Sequence, residues 1–565
     1  MKRCPQCRSD YYDDSLQYCL EDGTALVQGS VPSPDEPATA ILGHTGAPAE
    51  AATAAQIHTT ESTAILESAQ EQTQKRSYKA SVLAIAALAM IALGGFLVYR
   101  YLTATKQIGS IAVMPFVNEG GNADMEYLSD GMTETLIRSL SNLADLDVKP
   151  RSAVFRYKGK DVDASTIARE LNVQGVLNGR VVERGDQLTL SLELIDARRN
   201  RVIWGEQYER KAADLVSLQS EIAKDVSTKL MARLSGAEEN KVTKAAAADP
   251  EAYQAYLRGR YYWNRRTGEN LRKAIEQFKI ATDRDPNFSL AFAGLADCYA
   301  ILSEYTGTPT SETAPQAKLY AERALALDPS MAEPHAALGQ VNALSWKWPE
   351  AEQEYKRAIE LNPSYATAYH WYATTLSDLG RSEEALAMIQ RGHELEPMSS
   401  IIRSYLSNVE QTRNNHEAAI QNALQLIELD PNFGNAYAIL AISYAKTGRL
   451  AEAVAAAEKA AQLQKRNGES LGNLGYVYAL AGRKADSLAI IKELEERYAR
   501  NQAIGQNIAD VYAGLGDKDK AFEWLDKDFQ KRDGNLPDFR PDLEFESLRQ
   551  DPRYKDLLRR IGLPE

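Results

Sequence analysis

From about residue 249 to the C-terminus, apolar and small residues recur at helical spacing in one register. Leu338 and Gly339 in one predicted helix are answered by Ala351, Tyr355 and Ala358 in the next. The same slots return as Ala385, Ile389 and Gly392, and again as Leu440, Ala441, Tyr444, Gly448, Ala453, Ala457 and Ala460. They reappear as Leu474, Gly475, Tyr478 and Gly482, then as Ile508, Ala509, Tyr512, Gly516 and Ala521. Small residues are needed where two helix backbones approach closely, and large ones fill the gaps beside them. Up to Pro431 a proline closes the second helix, because it lacks an N–H and clashes with the preceding turn. Pro329, Pro363, Pro397 and Pro431 are each 34 residues apart. The interval from Pro286 to Pro329 is 43, which predicts a nine-residue insertion at residues 305–315, between two helices. The pattern predicts about eight helix pairs over residues 249–565.

Ahead of the repeats, residues 109–237 alternate between strand and helix periods. Residues 110–117 (SIAVMPFV) read as a buried strand, followed by a helix carrying Leu128, Met132, Leu136, Leu140 and Leu143. Residues 163–171 read as a short helix with Asp163 as its cap. Residues 187–195 (QLTLSLELI) alternate strictly, as a half-buried strand does, and residues 202–208 continue the meander. Leu215, Leu218, Ile222, Val226, Leu230 and Leu234 define a closing amphipathic helix.

Residues 80–99 run for twenty positions without a charge, and Ser81 is the one clearly polar residue. At about 1.5 Å per residue this reaches across a bilayer core of roughly 30 Å. Residues 78–101 are therefore expected to form one transmembrane helix, with Tyr78, Tyr99 and Tyr101 at the interfaces. Lys75, Arg76 and Lys79 precede the span, against Arg100 and Lys106 after it. That bias favours a cytoplasmic N-terminus, with the C-terminal domains outside the cytoplasmic (inner) membrane. Residues 27–74 contain no Lys, Arg, Phe, Trp or Tyr, and read as a disordered linker. Thr39 (in ATAIL) and Thr63 (in STAIL) are candidate phosphorylation sites there, each with an aliphatic residue three positions on.

The formal net charge of −13 disfavours nucleic-acid binding, which needs clustered cations. Of four cysteines, three stand within residues 1–26, and Cys298 is alone in a repeat helix. Cys4, Cys7, Cys19 and Asp22 are spaced like a short zinc ribbon, with a carboxylate in the fourth slot, so one structural zinc is expected. No nucleophile–base arrangement and no phosphate loop stands out, so the chain does not read as an enzyme and no small-molecule substrate is indicated. The 34-residue period is that of tetratricopeptide (TPR) repeats, whose first helices line a concave groove suited to partner proteins or peptides. Tyr369, His370, Asn473 and Tyr476 fall in first helices and are candidate partner contacts.

The α/β segment resembles the N-terminal domain of TolB-like proteins, through IAVMPF (111–116), YLSDGMTETL (127–136), FRYKGKDVD (155–163), IARELNVQGVLNGRV (167–181), LELIDA (192–197) and WGEQYER (204–210). With the repeats and the ending DGNLPDFRPDLEFESLRQDPRY (533–554), it is similar to a bacterial architecture often joined to a nucleotide cyclase, a kinase or a winged-helix domain. None of these outputs is recognisable here. The expected fold is multidomain: a zinc-ribbon-like head, a transmembrane helix, a small α/β domain and a TPR α-solenoid. The expected function is a membrane-anchored interaction scaffold, with a one-component transmembrane sensor as the alternative.

Overall fold

The computed structural model describes residues 108–121, 125–141, 143, 145–185, 187–211, 214–230 and 249–565, together with residues 2–3, 10–11, 18 and 27–28. It divides into two units, Met1–Thr103 and Ala104–Glu565. In the first, β1 (Lys2–Arg3) pairs antiparallel with β2 (Asp10–Tyr11) and with β3 (Val27–Gln28). The zinc candidates Cys4, Cys7, Cys19 and Asp22, the candidate phosphothreonines Thr39 and Thr63, and the 78–101 segment lie outside the described residues. The expected inner-membrane location is corrected here: among the described residues, no helix is long and apolar enough to cross a membrane.

The second unit begins with the α/β module. Its strands are β4 (Ser110–Val113), β5 (Val117–Asn118), β6 (Asp147–Val148), β7 (Gly175–Arg184), β8 (Gln187–Asp196) and β9 (Arg201–Lys211). The sheet runs β6-β4-β7-β8-β9, with β5 also on β7. Contacts of β4 with β6 and β7 are parallel, and those along β7-β8-β9 are antiparallel. The sequence predicts one strand over residues 110–117, whereas the structure has two. Pro115 cannot donate to the ladder, and the register against β7 moves by one residue between Val113↔Leu177 and Val117↔Arg180. Helices α1 (Glu126–Ser141), α2 (Arg151–Phe155), α3 (Ala164–Leu171) and α4 (Leu215–Leu230) complete the module. The Asp163 carboxylate accepts from the backbone N–H groups of Ser165 and Thr166, the expected cap of α3.

Eight helix pairs follow. They are α5 (Pro250–Trp263) with α6 (Gly268–Arg284), α7 (Ser289–Thr306) with α8 (Thr310–Leu327), α9 (Glu333–Leu344) with α10 (Trp348–Leu361), and α11 (Ala366–Asp378) with α12 (Ser382–Leu395). Then come α13 (Ser400–Thr412) with α14 (His416–Leu429), α15 (Gly434–Lys446) with α16 (Leu450–Leu463), α17 (Gly468–Leu480) with α18 (Lys484–Tyr498), and α19 (Gly505–Gly514) with α20 (Lys518–Lys531). The small-residue slots act as expected. A Cβ on Gly339 of α9 would sit 2.6 Å from the ring of the fully buried Tyr355 of α10. The insertion does not make a loop between helices. It lengthens them, since α7 and α8 are both 18 residues against 13 and 14 for α11 and α12.

The α/β module is seated on the first repeat. Gly131 of α1 lets Leu257 of α5 approach so closely that a Cβ would meet it at 2.9 Å. Around this contact Arg138 donates to the Tyr256 hydroxyl (2.8 Å), and the Glu134 carboxylate accepts from Arg260 Nε (2.7 Å) and Asn264 (2.6 Å). Arg151 approaches the same carboxylate at 3.4 Å.

After α20 the helix-pair pattern ends. Two 3₁₀ turns (Leu536–Phe539 and Leu543–Leu548) lead to α21 (Pro552–Arg560). This tail crosses the first-helix side of the repeats. Trp348 of α10 donates to the Ile561 carbonyl (3.0 Å), Arg540 to the Asp378 carbonyl of α11 (3.2 Å), and Lys446 of α15 to the Leu543 carbonyl (2.7 Å). The inner face is therefore not an open groove along its whole length, as the repeat pattern alone suggests.

Candidate functional site

The first helices line one side of a cavity with polar residues: Gln340 on α9, Thr374 on α11, Asn408 on α13, Asn473 on α17, and Gln506 and Asp510 on α19. The tail closes another side. Leu536, Phe539, Leu543, Phe545 and Leu548 are buried, and Phe539 stacks edge-on to Tyr554 with ring centroids 5.0 Å apart. Anchored by these apolar residues, the intervening Asp538, Asp542 and Glu544 face a cavity of about 640 Å³ shared with the first helices.

Seven carboxylates line this cavity, against three cations, Arg266, Lys465 and Arg497. Arg497 is already paired with Glu493 at 3.0 Å, and the neighbouring Lys446 with Glu546 at 2.7 Å. Asp378, Asp510 and Glu544 are buried. Burial, then the charges of Glu544, Glu469 and Asp528, pushes the Asp510 carboxyl well above the ordinary carboxylate range. Burial and the nearby Glu544, Asp510 and Asp538 do the same to Asp542. For Asp378 the causes are burial and Asp538, opposed by Arg540. Gln506 donates to Asp542 (2.8 Å), yet its own side-chain oxygen and Oδ1 of Asp510 are buried without a hydrogen-bond partner.

A second, larger cleft of about 1420 Å³ lies between the module and the repeats. Its walls include Arg151 and Arg156 of the module, and Asp297, His370 and Glu396 of the repeats. Among the described residues, no group of three or more His, Cys, Asp or Glu is placed to hold a metal ion.

The four candidates chosen from sequence separate. His370 lines both cavities, and Asn473 lines the smaller. His370 packs edge-on to Tyr405 at 4.1 Å, and its Nε2 is buried without a partner. Burial, then Arg266, holds its pKa down at about 3, so the ring is neutral. Tyr369 lines neither cavity and donates to the Pro363 carbonyl (3.2 Å). Tyr476 is buried against Gly514 of α19. Sequence reasoning did not single out Asp378, Asp510, Asp538, Asp542 and Glu544. The available signal was the tail itself, where acids alternate with Leu and Phe over residues 536–545.

A family model described as "HilA/YgeH-like transcriptional regulator, second domain" matches residues 106–225, which include most of the α/β module. Tetratricopeptide-repeat models match residues 354–387, 406–470 and 440–503. A protein of Rhizobium meliloti named "Putative adenylate cyclase 3" is 31% identical over 239 residues, 42% of this chain and 40% of its own length. Transcriptional regulator HilA of Salmonella typhimurium is 21% identical over 292 residues, 51% of each chain. The chain thus spans about half, or less, of the length of the curated relatives it matches. Of solved structures, Pseudomonas aeruginosa pilF is 23% identical and covers 36% of this chain and 92% of its own, with a TM-score of 0.29. YrrB, described as a TPR protein with an unusual peptide-binding site, is 20% identical, with 33% and 92% coverage and a TM-score of 0.24. The chain therefore carries tetratricopeptide repeats, preceded by a sheet-containing domain similar to the second domain of HilA/YgeH-like regulators.

Proposed function

We propose that the chain is a protein–protein interaction scaffold, and that its partner lies in the larger cleft between the α/β module and the repeats. The observation supporting this is that the repeats leave their first-helix side facing a cleft of about 1420 Å³ there, with mixed charge on its walls. Helix pairs of this kind stack into extended surfaces that suit an elongated partner segment. The role proposed for the cleft is to hold and position that partner. A photoreactive residue in place of Met398, on the cleft wall, is expected to crosslink one discrete partner protein. Glu396→Arg is expected to remove that crosslink. A crosslink unchanged by Glu396→Arg, or none at all, counts against the cleft.

A second reading, a regulatory sensor, draws on the match of residues 106–225 to a transcriptional-regulator domain. In it, partner binding at the cleft changes the seating of α1 on α5. For the N-terminal head we propose one structural zinc on Cys4, Cys7, Cys19 and Asp22. Three thiolates and one carboxylate supply the four donors that tetrahedral zinc takes. Stoichiometric metal in the purified protein, lost in Cys4→Ser, is the expected result.

A further inference from the structure

The smaller cavity has features that a partner in the larger cleft leaves unexplained. Folding has driven acidic groups together there without supplying matching cations. Asp378 and Asp510 are only 7% and 6% exposed; Arg497 and the neighbouring Lys446 are paired with Glu493 and Glu546, and Arg540 donates to the Asp378 backbone carbonyl. A cluster of acids alone is a weak sign, since a solvated acidic face needs no ligand. Two further atoms change this. Oδ1 of Asp510 and Oε1 of Gln506 are acceptors on side chains more than nine-tenths buried, and neither receives a hydrogen bond. An unmade bond of this kind in a buried site costs about 1–3 kcal/mol, so a missing donor is the natural complement.

The chemistry and size of the cavity narrow the ligand. It must bring N–H donors and positive charge together. A bare metal ion does not suit, because among the described residues no three carboxylates converge at ligating positions. The acids are spread along the wall, from Asp378 on α11 to Asp510 on α19 and Asp542 on the tail. A volume of about 640 Å³ falls in the range of small-molecule sites. The tail, anchored by Phe539 and Phe545, closes one side. We propose that this cavity binds a small, elongated organic polycation bearing primary ammonium groups, held by Asp510, Gln506 and Asp542 at one end and by Asp378 and Asp538 at the other. This site adjoins the cleft assigned above to a protein partner, sharing His370, Lys465 and Glu469 with its wall, but its acidic end groups lie outside that cleft and its test does not depend on that assignment.

Isothermal titration of the full chain with 1,4-diaminobutane and with spermidine tests the proposal. Both are expected to bind saturably with one-to-one stoichiometry and to raise the unfolding midpoint. The neutral isostere 1,4-butanediol is expected to do neither. Asp510→Asn and Asp542→Asn each keep the side-chain shape, remove an unpaired charge, and are expected to weaken diamine binding about tenfold, the worth of one charged hydrogen bond. Glu452→Gln, which removes an exposed acid far from the cavity, is expected to leave binding unchanged. Four results overturn the proposal: equal binding of the diol, undiminished binding by both Asn variants, an equal loss in Glu452→Gln, or binding of a tetralysine peptide without the amines. A wild-type midpoint insensitive to saturating diamine does so too, even if a variant fails to fold.

Discussion

The seam between module and repeats and the cavity under the tail both bury charge, but in opposite ways. At the seam, Glu134 meets Arg260, Arg151 and Asn264, and Arg138 meets Tyr256. Burial pushes the Glu134 carboxyl up, but the two guanidinium groups outweigh it and hold it below the usual range. Under the tail, acids meet acids, and their pKa values rise. The difference separates two uses of buried polarity. A charge whose partners come from the same fold joins two parts of it, whereas a charge without a partner weakens the fold and is retained for something that binds.

The strongest way to break this contrast is at the seam. Glu134→Ala leaves the half-buried Arg260 without its carboxylate, and the loss should approach the lower end of the roughly 3–5 kcal/mol that breaking a buried pair costs. Chemical denaturation should show that loss, with the module separating from the repeats before the repeats unfold. Next comes packing inside a repeat. Gly339→Val forces a side chain into the Tyr355 ring, and overpacking of that sort costs about 1–3 kcal/mol. Circular dichroism melts should show a lower midpoint with helix content kept.

Under the tail the sign reverses. Asp510→Asn removes a charge that has no partner, so the variant should melt higher than wild type at pH 8. The pH dependence carries the same contrast. Burial holds Asp297 and Asp528 up at about 7, so the folded chain binds their protons more tightly than the unfolded chain does. The resulting stability is full below about pH 4 and is lost as pH rises through about 7. Glu134 runs the other way: its stabilisation is present above the unfolded carboxylate pKa of about 4.3 and is lost as pH falls. The midpoint should therefore be highest in mildly acidic buffer, and the advantage of Asp510→Asn should shrink there. The smallest effect is expected on the outer surface. Arg449 and Glu452 pair three residues apart in full solvent, and Glu452→Ala should leave the melt unchanged.

The helix pairs were legible because their information is local and repeated. Small residues opposite large ones, as Gly339 opposite Tyr355, and a proline after each of the first five second helices recur until chance is no longer an explanation. The strand β7 was harder. Gly175, Val176 and Leu177 at its start are all buried, and a strand covered on both faces shows no alternation. The expected inner-membrane location was set aside on the helices described, none of which is long and apolar enough to span a bilayer. Of the partner candidates, His370 and Asn473 reach a cavity, while Tyr369 and Tyr476 turn to backbone and to Gly514.

The sequence by itself determined the repeat period, the helix pairing, the strands that alternate and the cap at Asp163. Each depends on residues within about one helical turn or strand of one another. Only the tertiary structure decided that residues 533–563 cross the repeats instead of adding another pair. It alone brought Asp538 and Asp542 to Asp378 and Asp510, more than 150 residues away in the case of Asp378. Like charges so far apart in the chain carry no mutual signal in composition or spacing, because the energy that sets them against one another exists only once the solenoid has curved and the tail has docked.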